Sequence, residues 1–173
     1  MPEGIDFTAL SARDALDLAI LIEDEAEERY AELAHQLEIH RTPGAASFFR
    51  SMMRNEGNHR ARLVERRTSL FGEAPKVVSR AMLWDVEAPE YDEARAFMTV
   101  RQAMETALRC EEKAHAFFVA ALSQVRERGV RLLLEELRDE ELLHQELIRR
   151  EIARLEAEPG VHPEDFTDEP TSQ

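Results

Sequence analysis

The chain has 173 residues, enough for one domain with a sizeable core, and its 34% charged and 6% aromatic content describes a mainly helical soluble protein with little or no sheet. A formal net charge of −14 opposes binding to phosphate backbones, which favour concentrated Lys and Arg, so no nucleic-acid partner is expected. A single cysteine, Cys110, excludes an intrachain disulfide and any Cys₄ metal centre, and leaves metal chemistry to carboxylates and imidazoles.

The first periodic segment, about 11–38, follows Ser11 as a candidate cap and carries Leu16, Ala19, Ile20, Ala26, Tyr30, Leu33 and Leu37 on one stripe. The second, about 43–70, opens on Pro43, a favoured first-turn residue, and shows Phe49, Met52, Met53 and Leu63. A stretch of about 71–91, containing Pro75, Trp84 and Pro89, reads as a long connection. The third segment, about 92–126, uses Met104, Ala107, Leu108, Phe118, Ala121 and Leu122. The fourth, about 130–157, shows Leu134, Leu137, Leu147, Ile148 and Ile152. Short links join helices one to two and three to four, so each pair is expected to form an antiparallel hairpin. The long connection is explained if helices two and three run parallel, because it must then traverse the bundle. The expected architecture is an all-α antiparallel four-helix bundle over residues 1–158, two hairpins joined by a crossover, with an acidic tail at 159–173 that is disordered or loosely docked. No apolar run approaches the roughly 20 residues of a membrane span, and the opening MPEGIDF lacks a basic region followed by an apolar one. A cytoplasmic chain without membrane attachment is the expectation.

Glu and His three apart on a helix lie about 60° from each other around the axis, so both can reach one ion. Four such pairs occur: Glu32/His35, Glu56/His59, Glu112/His115 and Glu141/His144. Internal similarity selects among them. IEDEAEERYAELA (22–34) aligns with CEEKAHAFFVAAL (110–122) at an offset of 88, bringing Glu23 onto Glu111, Ala26 onto Ala114 and Tyr30 onto Phe118. Glu56-Gly-Asn-His59 aligns with Glu141-Leu-Leu-His144 at an offset of 85, which makes the chain look like a duplicated hairpin. Each half then offers one Glu on its first helix and one Glu-x-x-His on its second. Glu32/His35 and Glu112/His115 do not map onto each other; Glu32 lies about 180° from Glu23 and is expected to face solvent or a partner.

The four repeated carboxylates share the apolar stripes. Glu23 follows Leu16 and Ile20, Glu56 follows Phe49 and Met52, Glu111 follows Met104 and Leu108, and Glu141 follows Leu134 and Leu137. Buried without partners, each would cost several kcal/mol. Two divalent ions match four carboxylates, with neutral imidazoles completing the shell, and Fe, Mn and Zn all accept such ligands. The alternative is a wet bundle face with partly exposed carboxylates.

Glu23 with Tyr30, Glu56-x-x-His59, Glu111, and Glu141-x-x-His144 resemble the ferritin-like diiron carboxylate proteins, in particular the rubrerythrin family, over about residues 11–156. The resemblance implies two iron ions per protomer. Glu56 and Glu141 would bridge or chelate them, Glu23 and Glu111 cap them from the other hairpin, and His59 and His144 bind one each. It implies oxidase, peroxidase or ferroxidase chemistry with O₂ or H₂O₂, serving oxidative-stress defence or iron homeostasis, in a homodimer. Two departures stand out. One cysteine cannot build the rubredoxin domain of full-length rubrerythrins, so an external electron donor is implied, and Ala114 stands where peroxidase-type members carry an extra Glu. Beside the ligands, Glu27 and His115 are either hydrogen-bonding supports or interfacial residues, and Tyr30 is either a hydrogen-bonding neighbour of the irons or a core aromatic. Two other classes of function stay open: an iron-storage or iron-handling subunit without redox turnover, and a metal-free helical interaction protein.

Overall fold

The computed structural model describes residues 6–78 and 98–157. Within them are four helices: α1, Ala12–Ile39; α2, Pro43–Phe71; α3, Val100–Leu122; and α4, Arg128–Ala157. No strand occurs among the described residues. Most of the expected connection and the whole acidic tail at 159–173 lie outside them.

Local chemistry sets the helix ends. Ser11 caps α1, its hydroxyl accepting from the Asp14 amide at 3.2 Å. Pro43 occupies the first turn of α2, where its missing N–H costs nothing. α3 begins later than the expected 92. Met98 and Thr99 are non-helical, while Thr99 and Gln102 form a reciprocal capping box: the Gln102 amide donates to Thr99 Oγ1 at 3.2 Å and the Thr99 amide to Gln102 Oε1 at 2.9 Å. Residues 92–97 lie outside the described part. α3 also stops at Leu122, short of 126, and α4 starts at Arg128, because the Glu127 carboxylate accepts from the amides of Gly129 (2.9 Å) and Val130 (2.6 Å). Those bonds hold the Glu127 carboxyl below its usual pKa.

Ion pairs and close approaches reveal the topology. Arg67 meets Asp17 and Arg60 meets Glu27, so α1 and α2 are antiparallel. The end of α3 (Phe117, Phe118, Leu122) packs with the start of α4 (Leu133, Leu134, Leu137), and the start of α3 (Met104, Ala107) with Ile148 late in α4, so α3 and α4 are antiparallel as well. Arg62–Glu140 and Arg66–Glu136 run α2 against α4 in opposite directions. Helices α2 and α3 are therefore parallel. Their N-termini meet at Gly44, where an added Cβ would lie 2.6 Å from Val100 Cγ2. The chain between them must return along the bundle, about 35 Å for a helix as long as α3, which explains the length of the connection.

The core falls into two apolar clusters. One gathers Leu16, Leu18, Ile20 and Ile22 of α1 with Phe117, Phe118, Leu133, Leu134 and Leu137 of the second hairpin. The other gathers Tyr30, Leu33 and Leu37 with Phe49, Met52, Met104 and Ile148. Leu147 does not join them: it is 48% exposed, because it lies about 100° around α4 from Ile148, which takes the inward direction instead. A buried ion pair not anticipated from sequence fastens the far end of α2. Arg67 Nε donates to Asp17 Oδ1 at 2.9 Å, and its guanidinium also donates to the carbonyls of Gly72 (2.6 Å) and Ala74 (2.5 Å). Both carbonyls lie just past the end of α2 at Phe71, so Arg67 ties the chain that leaves the helix to α1.

Candidate metal centre

The layer between the apolar clusters holds Glu23 (4% exposed), Glu56 (1%), Glu111 (0%) and Glu141 (3%). Each comes from a different helix, at a position where the apolar stripe would otherwise continue. Two groups form among the described residues: Glu23, Glu56 and His59, and Glu111, Glu141 and His144, with the candidate ligand atoms of each within 4.8 Å of one another. His59 Nδ1 lies 3.8 Å from Glu23 Oε1 and 3.6 Å from Glu56 Oε2. His144 Nδ1 lies 3.1 Å from Glu111 Oε2 and 3.9 Å from Glu141 Oε2. The two imidazoles stack across the bundle, centroids 4.7 Å apart and planes 15° from parallel.

This grouping corrects one expectation. Glu23 and Glu111 each gather with the Glu-x-x-His of their own hairpin, not with that of the other. The reason is geometric: the antiparallel pairing of α1 with α2 sets Glu23 beside Glu56, and that of α3 with α4 sets Glu111 beside Glu141. The opposite hairpin instead supplies the stacked imidazole.

The electrostatics are those of crowded, desolvated carboxylates. Glu23 Oε2, both oxygens of Glu56, Glu111 Oε1 and Glu141 Oε2 are buried with no hydrogen-bond donor. Burial, reinforced by neighbouring carboxylates, pushes Glu23 and Glu141 well above the usual range. Glu56 is also raised, chiefly by burial, although His144 opposes the shift. Burial first, then Glu56, pushes Glu111 up to about 8. Burial, then repulsion from His144 and Arg62, lowers His59 to about 4 and keeps its imidazole neutral near pH 7. Unpartnered carboxylate oxygens beside imidazoles are the donor set that divalent cations accept. The six residues fit two ions.

The other sequence candidates fall elsewhere. Glu27 is half-buried and accepts from Arg60 Nε at 2.8 Å; it lies over Gly57, where an added Cβ would come 3.0 Å from Glu27 Oε1. His115 is half-buried on α3 and joins neither group. Tyr30 is fully buried in the second apolar cluster, its ring stacked on Phe49 at 5.7 Å. Glu32 and His35 are exposed, as their angle from Glu23 requires, and Glu112 is spent on Arg149 at 2.7 Å. Sequence reasoning missed Gln145. It is 4% exposed and donates from Nε2 to the carbonyl of Glu111 at 3.1 Å, tying α4 to the backbone that carries that carboxylate. Its place four residues after Glu141, about 40° around the helix, is the available signal.

Comparison with known proteins adds kinship to this geometry. A family model described as rubrerythrin matches residues 14–152. Comparison with curated proteins returns no significant match. Among solved structures, the chain is similar to an uncharacterised conserved protein from Magnetospirillum magnetotacticum MS-1, at 27% identity and a TM-score of 0.64, over 88% of this chain and 100% of that one. It is also similar to a hypothetical protein from Pyrococcus furiosus, at 22% identity and a TM-score of 0.49, over 84% of this chain and 90% of that one.

Proposed function

The chain belongs to the rubrerythrin family, and from that premise we propose that it binds two iron ions per protomer through Glu23, Glu56, His59, Glu111, Glu141 and His144 and oxidises Fe(II) with O₂ or H₂O₂. The observation that carries this reading is the pair of Glu–Glu–His groups, facing each other through stacked imidazoles, whose buried carboxylate oxygens have no donor. When bound, paired irons supply two electrons to one oxidant, one from each metal, without releasing a radical.

The chain's own residues prepare that chemistry. Neutral His59 offers a lone pair without first losing a proton. The four carboxyls, by contrast, hold protons more tightly than usual, so ion binding displaces protons and couples metal affinity to pH. In this reading Glu56 and Glu141 would serve both ions, and Glu23 and Glu111 would each cap one. Gln145 fixes the Glu111 backbone and thereby the carboxylate's reach. The apolar clusters on either side exclude water from the layer. Electrons come from a donor outside these 173 residues, whose one cysteine cannot hold a Cys₄ iron centre. No described helix is long and apolar enough to cross a membrane. A homodimer acting in the cytoplasm is part of this reading.

Metal analysis after anaerobic loading with Fe(II), followed by oxygen or peroxide consumption, tests it. The expected result is two irons per chain and Fe(II)-dependent consumption of oxidant. A stoichiometry near zero would overturn the reading in favour of a metal-free bundle.

A further inference from the structure

Beside the metal layer, between α2 and α4, lies a pocket of about 280 Å³. Phe48, Met52, Met104, Leu147 and Ile148 make its apolar wall, and His144 and Asn55 contribute polar edges. A dry apolar cavity of about 150 Å³ suffices for a single aromatic ring, so this one has room for two fused rings or one substituted ring. The wall chemistry favours an aromatic: two flexible thioethers adapt to a flat ligand and make favourable contacts with ring edges. The surrounding charge selects further. Glu151 lines the same pocket and the four carboxylates lie just beyond His144, so an anion is repelled, while a cation would be desolvated against methionine and leucine. The pocket touches His144 but not His59, and so adjoins only one of the two Glu–Glu–His groups.

We propose that this pocket is a binding site for a small, uncharged hydroxyaromatic molecule, seated between α2 and α4 against His144. The ring lies on Met52, Met104 and Ile148, and the hydroxyl is left to the polar edges. Apart from His144, the residues that line the pocket belong to neither Glu–Glu–His group, so the pocket is tested separately from metal binding.

The probe is 1-naphthol, titrated into the full chain after chelator treatment, with methionine methyl resonances followed by NMR. Saturable shifts are expected at Met52 and Met104, with none at Met98, which is buried in the same apolar cluster but does not line the pocket. 1-Naphthoate, of similar shape but anionic, should bind at least tenfold more weakly. Ile148→Trp should fill the space and weaken naphthol binding at least tenfold; because Ile148 is buried and that variant can misfold, Ser51→Phe on the half-buried pocket wall provides an independent block. Three results overturn the proposal: no saturable shift at Met52 and Met104, equal affinity for naphthol and naphthoate, or undiminished naphthol binding in folded Ser51→Phe. Any of them leaves the metal stoichiometry, and the function argued from it, unaffected.

Discussion

At the scale of single residues, burial and neighbours separate ligands from look-alikes. All four carboxylates are buried, and in the proposed centre Glu56 and Glu141 serve both ions, so they should be the hardest to replace. Glu56→Ala and Glu141→Ala are therefore expected to lose at least one metal and nearly all oxidase activity, read by metal analysis and oxygen uptake. His59→Ala and His144→Ala should each weaken one ion. Glu32→Ala and His35→Ala serve as controls of identical spacing, and their metal content and turnover should match the wild type. Metal loss in these controls with full retention in the Glu141 and His144 variants would mean that internal duplication selects the wrong pairs. The set of six residues was legible because the repeat presents them twice in register and because carboxylates on an apolar stripe are costly without cations. Gln145 was not legible in the same way, since a side chain bonded to a backbone carbonyl on another helix leaves only its place one turn after Glu141 as a signal. The pairing of Glu23 with its own hairpin was equally hidden, because helical periodicity sets a direction around an axis and not which neighbouring helix meets it.

At the scale of elements, the ends of helices decide what periodicity leaves open. Hydrophobic period placed four helices in the right order, yet the start of α3 was misplaced because the charged run from Asp92 suits a helix, while the start signal sits in Thr99-x-x-Gln102. That box makes a prediction: Thr99→Ala removes one of two reciprocal bonds on an exposed helix end and should destabilise by about 1 kcal/mol, read from denaturant unfolding. The other end of the bundle is held more strongly. Arg67 joins buried Asp17 to the carbonyls of Gly72 and Ala74, just past the end of α2, and its removal leaves a buried carboxylate and two carbonyls without their donor. Arg67→Ala is expected to cost about 3–5 kcal/mol, and Asp17→Asn with Arg67→Ala less than the sum of the single changes. Additive effects in that double-mutant cycle would show that the two side chains do not act as a pair. Neither residue touches the metal layer, so iron stoichiometry in folded protein should stay unchanged.

For the whole molecule, the layer of acid between two apolar clusters makes stability depend on protons and metal in opposite directions. A carboxyl whose pKa is higher folded than unfolded favours the fold while protonated; its contribution is complete below its ordinary value of 4.5 and is lost as pH rises towards the folded value, about 8 for Glu111. His59 works the other way. Held near 4 against an ordinary 6.5, it favours the fold while neutral, and its contribution is lost as pH falls through that interval. Four raised carboxyls outweigh one lowered imidazole, so the metal-free protein should lose stability steadily from about pH 5.5 to pH 8. Bound divalent cations reverse this trend, because they require the carboxylates charged and compete with protons for them. Binding to the folded state alone also raises the melting temperature in proportion to ln(1 + [L]/Kd). The expected observation is a pair of melting-temperature curves that diverge with pH, the Fe(II)- or Mn(II)-loaded protein exceeding the metal-free one by roughly 5 °C or more at pH 8 and converging with it near pH 5. Differential scanning calorimetry under anaerobic conditions, with and without chelator, measures both curves. Parallel curves would show that the buried carboxylates are neutralised within the protein itself, and that the bundle is built without need of cations.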